Sequence, residues 1–426
     1  MNYDHVRDQD PAVADALTGE VERQNDTLAM IASENHVSEA VLEAQGSTLT
    51  NKYAEGYPGE RYYGGCEYAD EVEQLAIDRA QELYGADHVN VQPHSGSQAN
   101  MGVYLAVLDP GDKILSLDLT HGGHLSHGHP ANFAGQVYEV EQYEVDAETG
   151  YIDYDDLREQ AEAYDPDIIV SGYSAYPRVV DWERMQTIAD AVDAVFVADI
   201  AHLTGLVAAG VHPSPVGVAD VVTCSTHKTI RAGRGGMIMC DEELASAVDR
   251  AVMPGTQGGP LVHNMAGKAA GFHEALQPDF EAYATQIVDN AHALGEQLKR
   301  RGFDLVSDGT DVHFALVDFR DTHPELSGEA AEAALADVGI VASKSTVPGE
   351  QRSPTVGSGI RLGTPPITTR GFDADDSQLL ANVIADVLDA PEDQVVVDRA
   401  VRVVDQLCEE HPLYEPETRP AMAGQA

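Results

Sequence analysis

Lys228 stands at the end of the run Thr223-Cys224-Ser225-Thr226-His227-Lys228-Thr229, where β-branched and small residues read as a strand running straight into a lysine. Burial at a strand end strips charge from an amine, and a neutral amine can form an imine with an aldehyde. The chain has only six lysines, Lys52, Lys113, Lys228, Lys268, Lys299 and Lys344, so one in such a place is a candidate for a specific task. The plain alternative is a surface lysine at a loop start. A second segment, Val195-Phe196-Val197-Ala198-Asp199-Ile200-Ala201-His202, is an apolar strand ending in an acid, with a histidine three residues on. A carboxylate fixed there can keep a ring nitrogen protonated, as an electron-sink cofactor requires. It can equally be an ordinary strand-end cap. A third segment, Pro93-His94-Ser95-Gly96-Ser97-Gln98-Ala99-Asn100, reads as a strand end, a Ser-Gly-Ser turn and a helix start. Free backbone N–H groups, two hydroxyls and a glycine that permits close approach make an anion cradle. Taken alone, Ser97 can simply cap the helix.

The order of the three matters more than any one. Phosphate cradle, then acid, then lysine is the order expected of a pyridoxal 5'-phosphate site on an open α/β sheet, where ligands lie beyond the carboxyl ends of the strands. Asp199 precedes Lys228 by 29 residues, room for one crossover between neighbouring strands. The run His121-Gly122-Gly123-His124-Leu125-Ser126-His127-Gly128-His129 raises a metal site as a further possibility. Its glycines make a flexible loop and no acid or thiolate lies close in sequence. An imidazole stacked on a flat cofactor ring is the favoured reading, and no metal is expected.

The elements that must position these residues follow from periodicity. Residues 98–108 and 184–192 have helical patterns. Residues 113–117, 167–170, 194–198 and 218–225 read as buried strands, and the alternation implies a parallel α/β sheet. After about residue 275 the pattern becomes α+β. Residues 280–301 form a long helix stopped by Gly302, residues 314–319 a strand, and residues 327–335 and 377–388 helices. The expected division is an N-terminal arm over 1–20, a large α/β domain over 21–278, a small C-terminal α+β domain over 279–410 and a disordered tail over 411–426.

Composition narrows the class further. The chain has 426 residues, of which 43% are hydrophobic, enough for two or three domains. No run of about 18 apolar residues suggests a membrane span, and the first residues lack the basic and apolar regions of a secretory signal. Cys66, Cys224, Cys240 and Cys408 show no Cys-x-x-Cys pairing and fit reduced thiols. A cytoplasmic location is expected. The net charge of −47, from 72 acidic and 25 basic residues, is spread along the chain. It repels nucleic acid and anionic membranes, so neither is expected as a partner.

At the same segments the chain resembles serine hydroxymethyltransferase. The likeness rests on Ile31-Ala32-Ser33-Glu34-Asn35, Thr50-Asn51-Lys52-Tyr53-Ala54-Glu55-Gly56-Tyr57-Pro58-Gly59 and Arg61-Tyr62-Tyr63-Gly64-Gly65. It continues through the Ser95 turn, His121-Gly122-Gly123-His124-Leu125, the Asp199 segment, Thr226-His227-Lys228, Gln257-Gly258-Gly259-Pro260 and Gly359-Ile360-Arg361-Leu362-Gly363-Thr364. It runs from about residue 20 to 390, in the right order. The resemblance implies the aspartate aminotransferase-like fold, a large mixed or parallel-sheet domain plus a small α+β domain, and a homodimer with active sites at the interface. It implies that Lys228 carries the cofactor and Asp199 pairs with the pyridine nitrogen. His124 would stack on the ring. Ser95, Gly96 and Ser97, with Gly258 and Gly259 from the neighbouring subunit, would hold the phosphate, and Ser174, His202 and His227 would complete the cofactor contacts. Arg361 would grip the substrate carboxylate, assisted by Ser33 and His202. Tyr53, Glu55 and Tyr63 would reach in from the partner subunit, Glu55, Tyr63 and Thr226 taking catalytic parts. Leu119, Gly123, Leu125 and Ser345 would face the pterin of tetrahydrofolate, the expected co-substrate.

The chain departs from the family pattern in two places. Ala232-Gly233 stands where members commonly have Gly-Pro, and Ser345 where bacterial members carry an asparagine that contacts the pterin. A hydroxyl cannot copy an amide's paired donor and acceptor, which leaves a methanopterin-type carrier as an alternative. A threonine-type aldolase and a non-catalytic cofactor-binding protein are the competing functions. The acid excess adds the expectation of a salt-rich cytoplasm, such as that of a halophilic archaeon, because salt screens the self-repulsion of a compact acidic chain. The thermal unfolding midpoint should therefore be higher in molar salt than in low salt; equal midpoints would reject the adaptation.

Overall fold

The computed structural model of the chain describes residues 3–414. Its central sheet has seven strands: β1 (His88–Asn90), β2 (Lys113–Leu117), β3 (Glu139–Tyr143), β4 (Ile168–Gly172), β5 (Val195–Asp199), β6 (Val221–Ser225) and β7 (Gly236–Cys240). They lie in the order β1-β7-β6-β5-β4-β2-β3. β7 is antiparallel to both its neighbours, and all other pairs are parallel. The middle strands are apolar because both faces are covered. Along them the side chains alternate: Ile169, Phe196 and Ala198 enter one hydrophobic cluster, while Ile168, Val170 and Val197 enter another on the opposite face.

Helices α1 (Pro11–Asp26), α2 (Glu67–Tyr84), α3 (Gly96–Val107) and α4 (Val262–Ala275) belong to the N-terminal two thirds, and α5 (Asp279–Arg300), α6 (Ala374–Asp389) and α7 (Gln394–Glu410) to the rest. Ser95 caps α3 by accepting from the Gln98 amide at 3.1 Å, and a reciprocal Asp373–Asp376 capping box starts α6. The second sheet comprises β8 (Asp304–Leu305), β9 (Phe314–Asp318), β10 (Ser343–Ser345) and β11 (Gly359–Gly363), in the order β8-β9-β11-β10, all antiparallel. It packs with α5 and α6 over its own core. No helix among the described residues is long and apolar enough to cross a membrane.

The expected strands and helices that frame the site are present within a few residues. Strand 167–170 is Ile168–Gly172, and helix 280–301 is Asp279–Arg300. The two cores interlock. Leu28 and Ala29 pair in parallel with Ile340 and Val341, and Leu28 and Met30 lie in the core of the second sheet. Phe314 and Leu316 of β9 face the core of the first. The tail expected over 411–426 falls mostly outside the described residues. Its first residues are held: Leu413 N donates to Asn25 Oδ1 at 3.2 Å, and the Tyr414 hydroxyl to the Val37 carbonyl at 3.1 Å.

Arg370 fastens the chain's two ends to this junction. Its guanidinium donates to the carbonyls of Gln24, Asn25 and Thr27 at the end of α1 and to those of Cys408 and His411 at the end of α7. Removing it leaves buried acceptors without a donor. Arg370→Ala should cost about 2–4 kcal/mol of stability, read as a lower denaturation midpoint, and an unchanged midpoint would contradict the clip.

Candidate active site

The carboxyl ends of β4, β5 and β6 open into a cavity of about 490 Å³. Asp199 ends β5 at its floor. Its Oδ2 accepts from Asn100 Nδ2 at 2.8 Å and pairs with His127 Nε2 at 2.9 Å, and its Oδ1 accepts from the Ala201 amide at 2.9 Å. Burial alone would raise its pKa. The hydrogen bond and charge of His127, with the Asn100 amide, outweigh burial and hold the carboxyl well below the usual carboxylate range. Gly172 allows this closeness, since a Cβ there would meet the Asp199 carbonyl at 2.3 Å. Asn100 is itself fixed, donating to Ser126 Oγ at 2.9 Å and accepting from Thr223 Oγ1 at 2.6 Å.

Lys228 follows β6 across the cavity. Burial pushes its amine down to about 8, with the charges of Arg361 and Arg234 acting the same way against the opposing pull of Asp199. The turn carrying it is braced by hydrogen bonds. Thr226 is buried and gives its hydroxyl to the Gly233 carbonyl at 2.6 Å, and Asn35 donates to the Lys228 carbonyl at 2.9 Å. Ser95, Gly96 and Ser97 form the opposite wall at the start of α3. A Cβ on Gly96 would meet Ser225 Oγ at 2.7 Å, so glycine lets this turn lie against β6 without displacing that hydroxyl. The Gly96 and Ser97 amides open α3 with no intrahelical acceptor and are open to an anion, while the Gln98 amide is taken by Ser95.

His124, Ser174, His202, His227, Ser33 and Arg361 complete the lining. His124 Nδ1 accepts from the Ser126 amide at 3.2 Å, and burial, then the neighbouring His127, pushes this ring down to about 4, so it is neutral. His202 lies against His313, with Nδ1 to Nε2 at 3.0 Å and ring centroids 5.2 Å apart. Arg361, on β11, donates to the Ser174 carbonyl. Its Nε is buried without a partner, and burial lowers its pKa to about 10 with no carboxylate offsetting it. A buried guanidinium edge of this kind fits a carboxylate.

Five of the other expected residues gather in a second cluster outside the cavity. A Cβ on Gly258 would lie 2.9 Å from Glu55 Oε1, and one on Gly259 3.1 Å from Tyr53 Cζ. Tyr53 and Tyr63 stack edge to face at 5.5 Å, and the Glu55 charge raises the pKa of the Tyr63 hydroxyl. Both tyrosines are about half exposed. Leu119 and Leu125 lie in short turns either side of Gly123, whose carbonyl accepts from Ser174 Oγ at 2.7 Å. Ser345 lies on β10 with its hydroxyl turned to the Thr346 carbonyl at 2.9 Å.

The imidazoles of residues 121–129 take separate polar partners, although the His124 and His127 rings meet edge to face at 5.7 Å. His121 faces Glu144, His124 Ser126 and His127 Asp199, while His129 accepts from its own turn. Sequence reasoning passed over Asn100, His127 and His313. The first two sit in segments already singled out, three residues after Ser97 and three after His124, where helical and turn spacing turn them toward the same cavity.

The cavity fits pyridoxal phosphate: a Ser-Gly-Ser anion cradle, an ionised buried carboxylate, a depressed lysine and a guanidinium with an unpartnered Nε converge on it. A family model described as serine hydroxymethyltransferase matches residues 6–384. A serine hydroxymethyltransferase of Natronomonas pharaonis is 70% identical across 98% of this chain and 99% of that protein. One of Haloarcula marismortui is 71% identical across 97% of this chain and all of its own length, and one of Nostoc sp. is 52% identical across 97% and 96%. The matching family has the aspartate aminotransferase-like fold, which the two sheets described above display, and uses pyridoxal phosphate. The chain belongs to the serine hydroxymethyltransferase family.

Proposed function

We propose that the Lys228 cavity is where this enzyme, with pyridoxal 5'-phosphate, interconverts L-serine plus tetrahydrofolate and glycine plus 5,10-methylenetetrahydrofolate. The observation that carries the reading is the convergence of Lys228, Asp199, the residue 95–97 turn and Arg361 on one cavity. When bound, the cofactor supplies an electron sink for the charge left at the amino acid's α-carbon as the hydroxymethyl group departs.

The chain's residues do the rest. Lys228, its amine brought down to about 8 by burial and so easier to deprotonate than a free lysine, would hold the cofactor at its aldehyde carbon. Asp199 stays ionised, and its carboxylate would keep a proton on the cofactor's ring nitrogen. Ser95, Gly96 and Ser97 would take the phosphate at the start of α3, neutral His124 would stack on the ring, and Ser174, His202 and His227 would complete the cofactor contacts. Arg361 binds the substrate carboxylate with two parallel donors, with Ser33 beside it. Thr226 positions the lysine turn.

Tyr53, Glu55, Tyr63, Gly258 and Gly259 act across a homodimer interface. Support for this lies in their clustering together, half exposed, outside the chain's own cavity. Glu55 moves the proton of the serine hydroxyl, and Tyr63 orients it. Leu119, Gly123, Leu125 and Ser345 line the pterin side. The large domain is residues 21–278 and the small one 279–410, and the enzyme works in the cytoplasm.

General acid–base help is worth about 10² to 10⁴ in rate. Glu55→Gln holoenzyme should keep its cofactor absorbance and lose folate-dependent serine cleavage by that factor. Undiminished turnover would remove Glu55 from the reaction. Wild-type cleavage of serine that is indifferent to added tetrahydrofolate would overturn the assigned reaction.

A further inference from the structure

Lys268 is the other buried lysine, 1% exposed on α4. Its ammonium donates to three main-chain carbonyls: Val91 at 2.6 Å, Pro93 at 3.0 Å and Gly236 at 2.9 Å. Val91 and Pro93 lead from β1 into the residue 95–97 turn, and Gly236 opens β7. The same segments are joined directly, Gly236 N donating to the Pro93 carbonyl at 2.9 Å. They lie so close that a Cβ on Gly236 would meet the Ser95 carbonyl at 2.2 Å. The three N–H bonds therefore fix the backbone that leads into the anion cradle.

We propose that Lys268 is a positioning residue for the phosphate end of the cofactor site, a fixed buried cation that sets the residue 95–97 turn and takes the bound phosphate as its counter-charge. The inference rests on the residue 95–97 turn being the phosphate site. Three carbonyls match the three N–H bonds of an ammonium, and a neutral amine supplies only two. Among the described residues no carboxylate bonds it. Glu73, the acid whose field reaches it, is already paired with Arg61. The Lys268 charge extends toward the cavity, helping to disfavour protonation of His94 and of His227. Burial pushes the Lys268 amine down to about 7, so that holding its charge at neutral pH calls for a nearby anion beside the three carbonyls. An anion at the turn meets that need.

The test compares pyridoxal phosphate with pyridoxal, which lacks the phosphate, on full-length protein stripped of cofactor, with dissociation constants read from absorbance. Lys268→Met should weaken pyridoxal phosphate about tenfold or more while pyridoxal changes by less than about twofold. Gly235→Ala gives a second probe that keeps the lysine, because its Cβ would lie 2.5 Å from Lys268 Nζ and displace the ammonium. It should shift the same ratio in the same direction, and it carries the test if Lys268→Met does not fold. Variants that keep the wild-type ratio, or lose both ligands equally, overturn the role of Lys268. A wild-type protein that binds the two ligands equally would instead remove the phosphate site on which the role rests.

Discussion

An ionised carboxylate sunk at the end of the central strand is the constraint around which this molecule is arranged. Burial works against the Asp199 charge, and only a complete set of donors keeps it. His127, Asn100 and the Ala201 amide supply that set from three separate segments. Asn100 is in turn held by Thr223 and Ser126. The helix after the residue 95–97 turn, the histidine loop and the strand before Lys228 are thereby locked to one another. A single oxygen pair fixes the spacing among that turn, the histidine loop and the lysine.

A second constraint comes from the junction of the two sheets. Arg361 belongs to the smaller sheet but donates to Ser174 beside the larger one. His202 of the large unit rests on His313 at the start of β9. Arg361 and His202 thus sit on a seam where the cores interlock, and the clip at Arg370 ties the ends of α1 and α7 to one another beside the same seam. Burial depresses both Lys228 and Arg361. Each cation is left short of a partner, a disposition that favours binding an anionic substrate and an anionic cofactor.

Much of the site was legible because it is local. Lys228, Asp199 and the residue 95–97 turn each sit where an apolar strand gives way to polar residues, and their order along the chain carries topological meaning. Tyr53, Glu55, Tyr63 and Arg361 could be singled out only by resemblance, since nothing in their spacing sets them apart from surface residues. His127 and Asn100 were not legible as Asp199's partners, because they meet it only through tertiary approach across 72 and 99 residues. Lys268 was equally hidden: its partners are backbone carbonyls, which leave no trace in side-chain pattern. The antiparallel strand β7, Gly-Met-Ile-Met-Cys, has one β-branched residue, and no periodicity marks its reversed direction.

The central claim is that Asp199 remains charged and keeps a proton on the cofactor's ring nitrogen. Nitrogen-15 magnetic resonance of holoenzyme rebuilt with ring-labelled cofactor measures that proton directly. The account predicts a protonated ring nitrogen in the wild-type enzyme at neutral pH and an unprotonated one in Asp199→Ala. An unprotonated nitrogen in the wild type, or an identical signal in both, would contradict it.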